Sequence, residues 1–370
     1  MKSNTRLCRA VLAMSLAVTG CEDAKLSPDG GSEPALDALV ADAGSGVTPE
    51  CAADPTRCLY QPARLPIERI VSSISDPARI GGPRNIPIAI RYAPTAPRPM
   101  PVVVWSHGGA SGHLDPTTSL DEWAIAAAEA GYLSVAIAHE PRDDASRLAL
   151  CTSLGFDTAG CATFKFLSYD RPIDIALVID EVAAMSARPA WAGRIDVAKL
   201  AVGGHSAGAG GTLMTAGAPR DINGTSTLMS DPRPIAFLAF SPQAPGSDGF
   251  TEESYAQVTR PTLIGTGRGD DNPPDTADGR ASVFDLVQPG NKARIFVEDA
   301  AALHTLFELK TDTCVTHATL AHCNEMRDWV RSAGMVFLDA HLRNSPAALA
   351  WMSSTNLTAA SAGVAEWSTR

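Results

Sequence analysis

The pentapeptide Gly204-His205-Ser206-Ala207-Gly208 has the spacing G-x-S-x-G, in which flanking glycines let a strand turn sharply into a helix and leave the serine hydroxyl standing above the turn. A serine used as a nucleophile needs a base to take its proton and an acid to hold that base. Downstream, Pro261-Thr262-Leu263-Ile264-Gly265-Thr266-Gly267 runs into Arg268-Gly269-Asp270-Asp271, so Asp270 is the first candidate acid and Asp271 the second; the plainer role for both is a solvated turn. His304, beyond the apolar run at 294–297, is the candidate base. The stretch Pro101-Val102-Val103-Val104-Trp105-Ser106 leads into His107-Gly108-Gly109-Ala110, small enough for a ligand to approach the main chain. With the start of a helix behind Ser206, this offers two N–H donors for a developing oxyanion, from Ala207 and from Gly109, with Ala110 next after Gly109. The plainer reading of His107-Gly108-Gly109 is a turn after a buried strand. His107 and His205 flank these turns and are read as shaping the pocket.

His317 and His322 are rivals for the base, but both lie between Cys314 and Cys323. Those four residues also raise a metal site. Adjacent His322 and Cys323 do not readily ligate one ion, and a disulfide is the simpler expectation.

The elements that must position these residues follow from periodicity. Short β-branched runs at 85–92, 101–106, 132–138, 199–203, 235–240, 262–265 and 294–297 read as strands, and longer stretches at 119–130, 169–185, 206–215 and 325–342 read as helices. Alternation of this kind predicts an α/β architecture, a mainly parallel central sheet flanked by helices on both faces. No internal repeat is visible.

With 370 residues, 45% hydrophobic and 19% charged, the chain can bury one sizeable core. A formal net charge of -11 leaves no basic footprint for nucleic acid or an anionic membrane surface.

The N-terminus has Lys2 and Arg6, an apolar run at 10–18, and Val18-Thr19-Gly20-Cys21, the zones of a secretory signal. Small residues directly before a cysteine resemble the bacterial lipobox, so residues 1–20 are expected to be a lipoprotein-type signal and Cys21 the lipid anchor; an ordinary cleaved signal is the alternative. Residues 21–58 are expected to form an acidic tether, 59–351 the catalytic domain and 352–370 a C-terminal tail. Six further cysteines fall as neighbours, Cys51 with Cys58, Cys151 with Cys161 and Cys314 with Cys323, which suggests three local disulfides in an oxidising compartment.

With these residues in place, the chain resembles α/β-hydrolases of the group containing platelet-activating-factor acetylhydrolase-like enzymes, predicted dienelactone-hydrolase-type proteins and bacterial cutinase-like polyester hydrolases, over about residues 67–351. The resemblance rests on PVVVWSHGG, on SYDRPID at 168–174, on GHSAGAGG, on PTLIGTGRGDD and on FLDAHL at 337–342. It implies the α/β-hydrolase fold, with Ser206, Asp270 and His304 as nucleophile, acid and base and with Gly109 and Ala207 in the oxyanion roles. The expected activity is hydrolysis of carboxylic esters through an acyl-enzyme, on a short-chain acyl ester, a lipid ester or a polyester, with no metal or organic cofactor. Expected alongside are a monomer, no nucleic-acid partner, membrane contact only through the lipid anchor, and a place in the bacterial cell envelope. The reading from another class is a surface lipoprotein that binds a lipid or a partner on a hydrolase scaffold without turnover.

Overall fold

The computed structural model describes residues 58–109, 115–163 and 166–370. The expected signal, Cys21, nearly all of the tether, Cys51 and Ala110 lie outside them.

Among the described residues the strands are β1 (Glu68–Asp76), β2 (Arg84–Tyr92), β3 (Met100–Ser106), β4 (Leu133–Ile137), β5 (Ile195–His205), β6 (Arg220–Ile222), β7 (Thr225–Thr227), β8 (Ala236–Phe240), β9 (Thr262–Gly267), β10 (Lys292–Val297) and β11 (Ala365–Thr369). The main sheet runs β1-β2-β4-β3-β5-β8-β9-β10-β11, and β6 with β7 forms a separate hairpin. From β4 to β10 every neighbouring pair is parallel, while β1, β2 and β11 join antiparallel at the two edges.

The principal helices are α1 (Asp121–Glu129), α2 (Phe166–Ser186), α3 (Ala207–Ala216), α4 (Ala277–Leu286) and α5 (Leu320–Leu342). Successive strand residues point to opposite faces, so the continuous apolar runs bury both. Val103 and Trp105 of β3 pack with Trp123 of α1 and with Met326, Val336 and Phe337 of α5. Val102 and Val104, on the other face, pack with Ile175 and Val178 of α2, Leu213 of α3 and Val283 of α4.

One expectation is corrected. Residues 352–370 are not a tail: β11 pairs antiparallel with β10 from Ala293↔Thr369 to Val297↔Ala365 and closes that edge of the sheet. Trp367 Nε1 donates to the Met352 carbonyl at 2.9 Å, and Leu357 and Ala365 are buried in the core, so the folded unit runs through to Arg370. Cys314 and Cys323 are joined in a disulfide, the arrangement expected there in preference to a metal site with His317 and His322. Among the described residues no group of three His, Cys, Asp or Glu side chains is placed to hold a metal. Cys151 and Cys161 form the other described disulfide, as their spacing suggests.

Candidate active site

The residues singled out in sequence gather at one edge of the sheet, where the parallel strands end: 107–109 after β3, Ser206 after β5, Asp270 after β9 and His304 after β10. Ligand crevices of open parallel sheets lie at this edge.

Ser206 joins β5 to α3 with φ 54 and ψ -120, a strained conformation for a residue bearing a side chain. Its N–H donates to the Phe240 carbonyl at 2.9 Å, which ties the turn to the neighbouring β8. Gly208 explains the motif sterically. A Cβ there would lie 1.9 Å from the Ser106 carbonyl oxygen and 2.7 Å from that of His107, so only glycine lets α3 pass this close to the loop after β3. The first turn of α3 directs N–H groups, Ala207 first, and positive dipole toward the ground above Ser206.

The loop after β3 lies against this turn. A Cβ at Gly108 would come 3.3 Å from Ser206 Cβ. Gly109 has φ +81 with nothing within 4 Å of where its Cβ would be, so glycine is required there by backbone conformation and not by space.

Both peptide planes flanking Gly109 are tied. His107 Nε2 accepts from the His139 N–H at 3.1 Å, which leaves Nδ1 carrying the proton that it donates to the Gly108 carbonyl at 2.6 Å. In a trans peptide the next N–H points the opposite way, so His107 aims the Gly109 N–H. On the other side, Arg171 of α2 donates to the Gly109 carbonyl at 2.7 Å, to the His107 carbonyl and to Ser106 Oγ at 3.2 Å.

Behind this loop is a fully buried relay. Ser106 Oγ meets His139 Nε2 at 2.8 Å, and His139 Nδ1 meets Asp174 Oδ2 at 2.8 Å. Burial, then Arg171, Arg84 and Arg79, hold His139 well below the usual imidazole pKa, so it is the neutral ring that donates to Asp174 and accepts from Ser106. Ser106, His139 and Asp174 are each 0% exposed, which keeps this second Ser-His-Asp set out of substrate contact.

Of the two adjacent aspartates, the fold turns Asp270 inward. Its carboxylate is fully buried, accepts from Thr266 Oγ1 at 2.8 Å and meets His304 Nδ1 at 2.6 Å. Asp271 is exposed and instead accepts from the Ala277 N–H at 2.8 Å, at the start of α4. Arg280 of α4 reinforces the inner position, donating to the Asp270 carbonyl at 3.1 Å and to the Ser241 and Pro242 carbonyls at 2.7 and 2.6 Å.

His304 opens a short 3-10 turn, His304–Glu308, held to α1 by Trp123 Nε1 donating to the Phe307 carbonyl at 2.9 Å. His205, the residue before Ser206, links the two sides: its Nε2 lies 3.0 Å from the His304 carbonyl and its Nδ1 2.9 Å from Glu308 Oε1. The His205 and His304 rings are 4.5 Å apart between centroids. Burial alone would raise Glu308, but hydrogen bonds from His205 and Lys310 outweigh it and hold this carboxyl well below the usual range. Ser206 Oγ and His304 are not hydrogen-bonded to one another here; such bonds are commonly long in unliganded sites and tighten with substrate.

His317 and His322 stand apart from this group. His317 Nδ1 meets Thr316 Oγ1 at 2.7 Å, and His322 meets Asp299 at 2.9 Å and Glu325 at 3.3 Å. Sequence reasoning assigned no role to Arg171, His139, Arg280 or Glu308. The available signal was charge where apolar residues are expected, as in Asp170-Arg171 and Asp174 within the buried helix α2.

No protein-family model and no curated protein matches the chain. A solved structure, the ferulic acid esterase from Streptomyces cinnamoneus, superposes with a TM-score of 0.51 at 18% identity, covering 78% of this chain and 93% of its own. At that identity the likeness concerns architecture, and together with the strand order it makes the fold of this chain that of the α/β-hydrolases.

Proposed function

We propose that the chain hydrolyses carboxylic esters, with Ser206 as nucleophile, His304 as base and Asp270 as the acid that orients it. The observation that carries this reading is the 2.6 Å contact from His304 Nδ1 to the buried Asp270 carboxylate, at the sheet edge where Ser206 occupies its strained turn. Ser206 Oγ attacks the ester carbonyl carbon as His304 Nε2 takes its proton; Ala207 and Gly109 N–H groups receive the oxyanion. The proton passes to the departing alcohol, leaving the acyl group on Ser206. Water, deprotonated by His304, then attacks the acyl carbon; the acid leaves and the proton returns to Ser206 Oγ. No step calls for a metal or organic cofactor.

Short-chain acyl esters, lipid esters and polyesters are the proposed substrate classes. The location we propose is the bacterial cell envelope, through a signal at 1–20 and a lipid on Cys21; the disulfides Cys151–Cys161 and Cys314–Cys323 support an oxidising compartment.

The test is hydrolysis of p-nitrophenyl acetate, butyrate and octanoate, with methyl ferulate included because the fold neighbour is a ferulic acid esterase, beside fluorophosphonate labelling. Turnover and labelling are expected, and both should vanish in Ser206→Ala. A folded protein with neither would refute the reading in favour of a binding lipoprotein.

A further inference from the structure

Arg171 is fully buried, yet the ion pairs of the neighbouring cluster, which join Arg79, Arg84 and Arg142 to Asp170 and Asp174, do not include it. Its donors go to neutral oxygens, Ser106 Oγ and the carbonyls of His107 and Gly109. A guanidinium buried without its own carboxylate is costly to keep, so a fold that retains one at this spot needs a reason. Burial pushes its pKa down to about 9, which still leaves it a cation near neutral pH. The cluster's two fully buried carboxylates pair with the three guanidinium groups of Arg79, Arg84 and Arg142, and Asp76 is a further, part-exposed partner of Arg79. Asp174 and Asp248 act on Arg171 without an ion pair to it, so its guanidinium is the cation behind the loop that has no direct carboxylate contact.

The fold also makes room for this side chain. A Cβ on Gly211 of α3 would lie 2.8 Å from Arg171 Cβ, so the glycines that follow Ser206 admit the arginine as well as the loop. Donors fixed before the reaction, in a water-poor site and close to positive charge, are what stabilise a developing oxyanion.

We propose that Arg171 is a positioning residue of the oxyanion site: from behind the loop after β3 its guanidinium pins the His107 and Gly109 carbonyls and lends positive potential to the N–H groups that receive the oxyanion. This rests on the serine-ester reading above. A residue in this role acts on the transition state and leaves substrate binding nearly unchanged, which separates it from one that only holds the fold together.

The experiment compares wild type, Arg171→Lys, Arg171→Gln and Gly211→Ala on p-nitrophenyl butyrate, and measures inhibition by a trifluoromethyl ketone that forms a tetrahedral adduct on the serine. For Arg171→Gln, kcat is expected to fall about 10- to 100-fold, less than the full loss of a direct donor, with KM within about threefold and the ketone Ki raised by the same factor as kcat falls. Arg171→Lys, which keeps the charge but not the three-way reach, should fall between the two. Wild-type kcat and Ki in folded Arg171→Gln would overturn the proposal, and so would a KM that rises as steeply as kcat falls. If Arg171→Gln does not fold, Arg171→Lys and Gly211→Ala are judged by the same ratio of kcat loss to KM change. A wild-type protein that is neither labelled nor active defeats the serine-ester reading itself, a result visible before any variant is compared.

Discussion

The tightest steric constraint in the site predicts the largest effect from the smallest change. In Gly208→Ala the new methyl group starts 1.9 Å from the Ser106 carbonyl oxygen, whereas such contacts do not fall below 3.0 Å, so α3 and the loop after β3 must separate by about 1.1 Å. Neither side can yield by turning a side chain, because the obstructing atoms at Ser106 and His107 are backbone. Arg171, His139 and His107 hold that loop from behind. Overpacking of this kind costs roughly 1–3 kcal/mol, which for a folded unit this large is a fall in Tm of about 2–5 °C. The same displacement separates the Ala207 and Gly109 donors, and a shift of about 1 Å at a reacting centre can lower kcat by about 100-fold, near 2.7 kcal/mol of transition-state stabilisation. Differential scanning fluorimetry and p-nitrophenyl butyrate kinetics measure the two effects on one preparation. Gly109→Ala is the control: its Cβ meets nothing within 4 Å, so only the positive φ opposes it, at a stability cost of about 1 kcal/mol. If Gly208→Ala kept kcat within threefold and Tm within a degree of wild type, the close approach of α3 to the loop would be refuted as the reason for the glycine.

Other outcomes follow from the same geometry. Asp270→Asn is expected to lower kcat by about 10³- to 10⁴-fold by removing the carboxylate that orients His304, while Asp271→Asn leaves kcat near wild type; equal losses would refute the assignment. Replacing Cys314 and Cys323 by Ser opens a loop of sequence separation 9, expected to cost about 2.5 kcal/mol of stability in a denaturant titration, with an unchanged midpoint refuting it. Burial, then Lys292, pushes His341 down to about 4, so its neutral ring contributes stability that is whole above pH 6.5 and is lost as pH falls from there toward 4. Urea midpoints in His341→Gln should therefore decline less between pH 6.5 and 4.5 than in wild type, and parallel declines would refute that origin.

The sheet was legible because its strands are buried on both faces and read as unbroken apolar runs, as in Val102-Val103-Val104-Trp105. The edge strands β1 and β11 escaped for the opposite reason. In β1, Ile70 and Val71 are themselves exposed among polar neighbours, and β11 has only Ala365 fully inside and Trp367 half-covered, so neither has the pattern of a core strand. Chain order pointed to Ser206, Asp270 and His304, but no local property separates Asp270 from Asp271. One step along the backbone reverses the direction of the side chain, and the register in which Thr266 and Arg280 meet the loop decides which carboxylate is covered. Arg171 lay within a quoted motif and still drew no role, because its partners are carbonyl oxygens some 60 residues away, which no spacing rule reaches.

These carbonyl contacts also account for the strain at the site. Ser206 at φ 54 and Ser241 at φ 50 lie side by side at the ends of β5 and β8, and each such backbone costs about 1–3 kcal/mol. Strain persists only where the surroundings over-determine it. Ser206 N–H is taken by the Phe240 carbonyl, Ser241 N–H by the Gly265 carbonyl at 2.7 Å, and the Ser241 carbonyl by Arg280. Relaxing either turn would strand part of that pattern, and at Ser241 it would also take a carbonyl from buried Arg280; an unsatisfied buried hydrogen-bonding group costs about 1–3 kcal/mol, comparable to the strain released. Arg171 stands in the same relation to the loop bearing Gly109. Each arginine thus converts the cost of losing its carbonyl partners into a restoring force on a loop of the site, which is how main-chain donors can stay aimed before a substrate arrives.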